Sequence, residues 1–159
     1  MQVLMNRKMG ILWASSRASE MPYDAKAFYP ITKPGVVLVH RGLFLRNMRP
    51  QKWRGKVPSQ FVDICGYEYF MNTVHIEDYI RPKVSSIRAA LVRNAAGLAL
   101  EIALLRSLLK VPQGIMFTIV VDERKPICTL KFYLLRNGAS AVVRPKPDDY
   151  HQPVMYINI

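Results

Sequence analysis

Catalysis needs groups that take, give or hold charge at fixed spacing, and few stretches of this chain offer them. Asp122-Glu123-Arg124-Lys125 contains a Glu-x-Lys, part of the pattern of metal-dependent nucleases, in which acids hold Mg²⁺ and a lysine helps position water. The stretch lies between two β-rich runs, where a charged hairpin turn is the ordinary occupant, and a long helical segment separates it from Asp78 upstream. His75, Glu77 and Asp78 form a second candidate, an acid/base group. On a strand, His75 and Glu77 share a face while Asp78 points away, and no nucleophile with a spaced partner accompanies them. Cys65 and Cys128 have no CxxC or CxH neighbour, and with His40, His75 and His151 they make no zinc-ligand spacing. They read as buried free thiols, which points to a reducing compartment. GxGxxG and P-loop motifs are absent. The expectation is a protein that is not an enzyme, with no structural metal and no cofactor.

The run VLVHRG, residues 37–42, resembles over six residues the strand-borne aromatic-Arg-Gly of some ADP-ribosyltransferases. In that family the arginine grips the dinucleotide phosphates, a role the resemblance would give to Arg41. The Glu-x-Glu on which the family's catalysis depends is absent from this chain, so the transfer reaction is not expected.

The stronger signal is charge. Lys and Arg number 23 against 11 Asp and Glu, a formal net charge of +12 with a pI near 10.0. That goes beyond the modest excess a soluble surface needs. From Lys26 to Lys56 there are eight basic residues and no acid, and five of them, from Arg46 to Lys56, surround Trp53 and Gly55. Cations for phosphates, an indole to stack on a base or sugar, and a flexible backbone suit a polyanion. Residues 63–78 are the opposite, with four acids and no Lys or Arg. Pairing of that patch with the basic loop is the competing structural explanation, and it would neutralise only a third of the excess.

Such a loop works only where rigid elements hold it. With 159 residues, 50% of them hydrophobic, the chain has the material for one domain with a core. Residues 1–35 read as an irregular basic arm broken by Pro22, Pro30 and Pro34, and residues 36–159 as a single α+β domain. The segment MQVLMNRKMGILWASSRAS is basic, contains serines and lacks acids, a composition shared with mitochondrial presequences, although an uncleaved arm is the preferred reading. Val36–Val39 and Leu43–Leu45 are strand material, with a bulge or tight turn at Arg41-Gly42. Residues 61–80 mix aromatic and β-branched residues and read as strand or mixed structure.

The clearest element is a helix. Ser85 or Ser86 is placed to cap it, and Leu91, Ala95, Leu98, Ile102, Leu105 and Leu109 step by 4, 3, 4, 3 and 4 along its seam. Leu100, Leu104 and Leu108 are expected to widen the buried stripe, and Pro112 and Gly114 to end it. Roughly 26 residues would span about 39 Å. Arg81, Lys83, Arg88, Arg93, Arg106 and Lys110 against Glu101 make the segment net +5. Those charges also exclude a membrane span. Ile115–Val121 and Ile127–Leu135 are two strands, Arg136-Asn137-Gly138 a turn, Ala141–Arg144 a short strand and Val154–Ile159 an edge strand. Tyr23, Phe28, Tyr29, Tyr67, Tyr69 and Phe70 read as core.

The fold expected is α+β, one long amphipathic helix packed on a small antiparallel sheet with a proline-broken N-terminal third. The function expected is non-catalytic binding of nucleic acid, RNA ahead of DNA, through Arg41, Arg46, Arg49, Lys52, Trp53, Arg54 and Lys56, joined by Arg81, Lys83 and Arg88 at the helix start. The alternative is an inhibitor or assembly subunit, immunity- or antitoxin-like, that covers an acidic protein. A nuclease or nucleotide-acting enzyme is the third reading. An intracellular location is expected, cytoplasmic with mitochondrial as the alternative.

Overall fold

The computed structural model describes residues 1–15, 22–81, 86–137 and 146–159. In chain order the elements are β1 (Gln2–Met5), α1 (Arg7–Ser15), α2 (Tyr29–Thr32), β2 (Val36–Val39), β3 (Gly42–Leu45), α3 (Ile64–Met71), β4 (Thr73–His75), α4 (Ile87–Ser107), β5 (Ile115–Val121), β6 (Cys128–Leu134) and β7 (Val154–Asn158). Five strands form one antiparallel sheet in the order β1-β7-β5-β6-β4, and β2 and β3 form a separate hairpin. The architecture is the α+β arrangement expected from the sequence, a long helix on an antiparallel sheet.

Strand alternation gives the sheet two different faces. Phe117, Ile119, Leu130, Phe132, Met155 and Ile157 turn to one side and make the main core with α4. The other side carries Met116, Val120, Tyr133, Val154 and Tyr156, and packs against Cys65 and Tyr69 of α3. The two cysteines are free and buried, Cys65 in the second layer and Cys128 in the first.

Several local expectations change. The first fifteen residues are ordered elements, because β1 pairs with β7 over Gln2↔Asn158 to Met5↔Met155. Buried Asn6 then caps α1 by accepting from the Met9 N–H at 2.9 Å and donates to the Gln152 carbonyl at 2.7 Å. Arg93 lies 4.0 Å from the Trp13 ring centre and packs α1 on α4. β7 is therefore interior to the sheet, since β1 covers the side expected to be an edge.

Residues 61–80 hold α3 before β4, because Asp63 accepts from the Gly66 N–H at 2.9 Å and nucleates a helix that the aromatic run disguises. Helix α4 has 21 residues, five fewer than expected, because Lys110 enters the left-handed region at φ 52° and Arg106 turns back to the Val111 carbonyl at 3.1 Å. Ser86 occupies its N-cap without a side-chain cap hydrogen bond. Leu91, Ala95, Leu98 and Ile102 are buried as expected. Leu100, Leu104 and Leu108 are not: they are 47%, 69% and 76% exposed, and the flank that widens the stripe is instead Val92, Ala96, Ala99 and Ala103. Tyr29 and Phe70, expected in the core, are 52% and 60% exposed. The expected strand at 141–144, Ser85, Pro82 and Lys83 lie outside the described residues.

Candidate nucleic-acid interface

The basic loop is held by a hairpin, and the hairpin is held by two polar side chains of α3. β2 and β3 are joined by a two-residue turn, His40-Arg41, with φ of 44° and 71°. Positive φ at both positions matches the twist of a tight hairpin, a conformation usually given to Asn-Gly. Here it falls on two side-chain-bearing residues, at a cost of order 1–2 kcal/mol each. The surroundings compensate. Gly42 follows because a Cβ there would stand 2.6 Å from the Phe44 ring.

Glu68, with no exposed surface, accepts from the Leu43 N–H of β3 at 2.5 Å and from the Leu134 N–H of β6 at 3.3 Å. Asn72, one turn on, donates to the Leu43 carbonyl at 2.7 Å and accepts from the Leu45 N–H at 3.1 Å. The hairpin edge is thereby satisfied by side chains in place of a neighbouring strand. Arg136 completes the cluster. Its Nη1 and Nη2 reach the two Glu68 oxygens at 2.5 and 2.9 Å, and Nη2 also donates to the Arg41 carbonyl at 2.6 Å. Burial pushes the Glu68 carboxyl above the usual carboxylate range, against the opposing pull of the Arg136 guanidinium and the two amides. Arg136 stays cationic, since Glu68 outweighs the effect of burial on it.

From Leu45 the chain runs into the loop. Arg46 Nε donates to the Pro34 carbonyl at 2.9 Å and Asn47 to the Pro30 carbonyl at 3.1 Å. The loop then returns to the hairpin tip, where Trp53 sits among His40, Phe44 and Tyr67 with ring centres 5.6, 5.5 and 5.3 Å away. Its indole N–H closes the loop on the Lys56 carbonyl at 2.8 Å. Gly55, at φ 85°, lies against the His40 ring, which a Cβ would approach to 3.2 Å. Trp53 is thus an anchor of the loop. The row of rings continues from Tyr67 through Phe61 to Phe70, whose exposed face is the free end of the series.

Arg41, Arg46, Arg49, Lys52, Arg54 and Lys56 are all exposed. Among the described residues none of them forms an ion pair. Three of the four acids at 63–78 are occupied elsewhere: Asp63 caps α3, Glu68 holds Arg136, and Glu77 accepts from the Cys128 N–H at 2.9 Å with His75 at 3.4 Å. Arg81 is exposed, and half-buried Arg88 lines a cavity of about 340 Å³ with Leu12, Ser86, Ile87 and Pro126. That cavity lies at the N-terminal end of α4, whereas Arg41 lies beside Gln113, beyond its C-terminal end. A helix of this length separates the two by about 30 Å, so Arg88 and the hairpin-tip cations do not share one patch.

The other candidate groups have local structural partners. Glu123 pairs with Lys8, and Asp122 accepts from the Arg124 and Lys125 N–H groups at 2.7 Å each, which holds its carboxyl below the usual range. Among the described residues no group of three His, Cys, Asp or Glu is placed to hold a metal ion, and no helix is long and apolar enough to cross a membrane.

The model of the uncharacterized protein PM0498 family matches residues 4–159, which takes in the basic loop and every element from α1 to β7. The chain belongs to that family. No curated protein and no solved structure matches it. Three residues around the hairpin tip and α3 escape a reading of the sequence. Arg136 and Gln113 join Arg41 only through tertiary structure, and Phe70 faces outward only once residues 64–71 are known to be helical. The spacing of Asp63 before Gly66 is the signal that would have revealed that helix.

Proposed function

We propose that this protein is a non-catalytic nucleic-acid-binding module, RNA ahead of DNA, whose contact surface is the anchored loop of residues 46–58 with the hairpin tip. The observation that carries the reading is the set of six exposed cations, five on the Trp53-anchored loop and Arg41 at the hairpin tip, none of them in an ion pair among the described residues. Fixed cations neutralise phosphates and release counterions. Exposed Phe70, at the end of the ring series, offers a face for an unpaired base. RNA is favoured because the exposed flank of α4 is apolar at Leu100 and Leu104 and offers a major groove no donor there, while a loop with a ring suits splayed bases. Two buried free thiols fit a reducing interior compartment.

The test is gentle purification at low salt without nuclease, then anisotropy titration with single-stranded RNA between ~50 and 200 mM salt. The reading expects co-eluting, nuclease-sensitive absorbance at 260 nm and a log–log salt slope near −4 for six contacts. A flat salt dependence overturns it. Exposed Val62 (88%) and Phe70 beside the cations favour one second reading, an acidic protein partner. A clean spectrum with a stoichiometric acidic companion would establish that reading instead.

A further inference from the structure

Beside the hairpin tip is a cavity of about 390 Å³ lined by Leu38, Arg41, Gln113, Leu134 and Arg136. Its chemistry differs from that of the open loop, because two arginines and a glutamine line it beside two leucines. The deep wall is Leu134, 2% exposed, with half-buried Arg136, while Leu38 and Arg41 stand at the rim. Arg136 does not move freely: its Nη atoms are held by Glu68, the Arg41 and Leu134 carbonyls and the Cys65 Sγ at 3.2 Å. Its Nε–H has no partner among the described residues. Glu68 balances its charge, so the net attraction of the cavity comes from Arg41, and Arg136 and Gln113 supply directed donors. The rare turn at His40-Arg41 ties rim to wall, since the Arg41 carbonyl is itself a ligand of Arg136.

We propose that this cavity takes a phosphate monoester, the phosphorylated end of a nucleic-acid strand whose backbone follows the basic loop. The inference rests on the reading of the preceding subsection and deepens it. A monoester carries about −1.5 to −2 charges near neutral pH and three acceptor oxygens. An internal phosphodiester carries a single charge and gives two of its oxygens to ester links, so it gains less from the same donors. The volume lies at the lower end of small-ligand cavities and fits one nucleotide.

The experiment uses the full chain and short single-stranded RNAs with an internal fluorophore and a 5′-phosphate, a 3′-phosphate or hydroxyls at both ends. One phosphorylated end binds roughly tenfold tighter than the hydroxyl-ended strand, the scale of one charge-assisted contact. Gln113→Leu cuts that preference severalfold and moves hydroxyl-ended affinity by less than about twofold. Alongside, ¹⁵N spectra with adenosine monophosphate, but not adenosine, shift the Gln113 side-chain amide. Equal binding of all three RNAs overturns the inference and leaves the function standing. Binding of none overturns both. A monophosphate-induced shift without strand preference assigns the cavity to a free mononucleotide and overturns the strand-end proposal.

Discussion

Glu68 shows how one side chain decides the shape of a site. Its carboxylate joins α3, β3, β6 and, through Arg136, the turn at Arg41. Glu68→Gln leaves a guanidinium that is only 19% exposed without its counter-ion, and breaking one side of a buried pair costs about 3–5 kcal/mol. Urea unfolding will show this as a lower midpoint at unchanged slope. Glu68→Gln combined with Arg136→Met recovers part of that loss, because both charges then leave together while the amide oxygen still accepts from the Leu43 N–H. At the surface the scale is smaller: Arg54→Ala should leave stability within about 0.5 kcal/mol and flatten the RNA salt slope by about 0.7. Little of this was legible in the sequence. Composition finds the cations of the loop, because exposed charge needs no partner to be recognised. It also counts Glu68 among a run of acids and Arg136 as part of a turn, because nothing local distinguishes a buried ion pair from two solvated charges 68 positions apart.

Among the elements, α4 was readable where its seam meets the sheet and misread on its flank. The stepping of Leu91, Ala95, Leu98 and Ile102 marks one buried line, but which neighbouring line is also covered depends on what packs there. Helix α4 packs closely against α1 and β2, and on its covered flank the small residues Ala96, Ala99 and Ala103 are inside while Leu104 and Leu108 are out. Gly97 is part of that close approach. A Cβ there would stand 2.4 Å from the ring of Tyr23, whose hydroxyl donates to Glu101 on the same helix. Gly97→Ala gains up to about 1 kcal/mol of helix propensity. It loses more by displacing that ring, so a net destabilisation of about 1–3 kcal/mol is expected. Thermal unfolding decides the sign. Leu104→Ser, on the exposed flank, should change stability by under about 0.5 kcal/mol. Helix α3 stayed hidden because eight residues rich in aromatic side chains have the composition of a strand.

At the scale of the whole molecule, charge was legible from composition alone, and its distribution was not. Buried tyrosines add a pH dependence of their own. Burial raises the hydroxyls of Tyr23, Tyr67, Tyr69, Tyr79 and Tyr156 above their ordinary value, Tyr23 further through Glu101. The unfolded chain ionises these groups near pH ~10 while the native fold keeps them protonated. The native state therefore binds more protons there, and the stability these groups lend is complete below that pH and falls as pH rises through it. Tyrosinate absorbance from Tyr23 and Tyr156, the two raised furthest, should appear only together with loss of the circular dichroism of the fold.

The ladder between β1 and β7 joins residues 2–5 to residues 155–158. During synthesis the first of these strands emerges long before its partner exists, and Val3 and Leu4 must wait unpaired. β5 waits too, since one of its edges is also β7. Closure of such distant contacts slows folding and prolongs exposure of apolar strands. A circular permutant that links residue 159 to residue 1 and opens the chain between α1 and α2 would turn the most distant pairing into a local hairpin and leave every other strand pairing at its natural separation. It should refold faster than the natural order of the same residues.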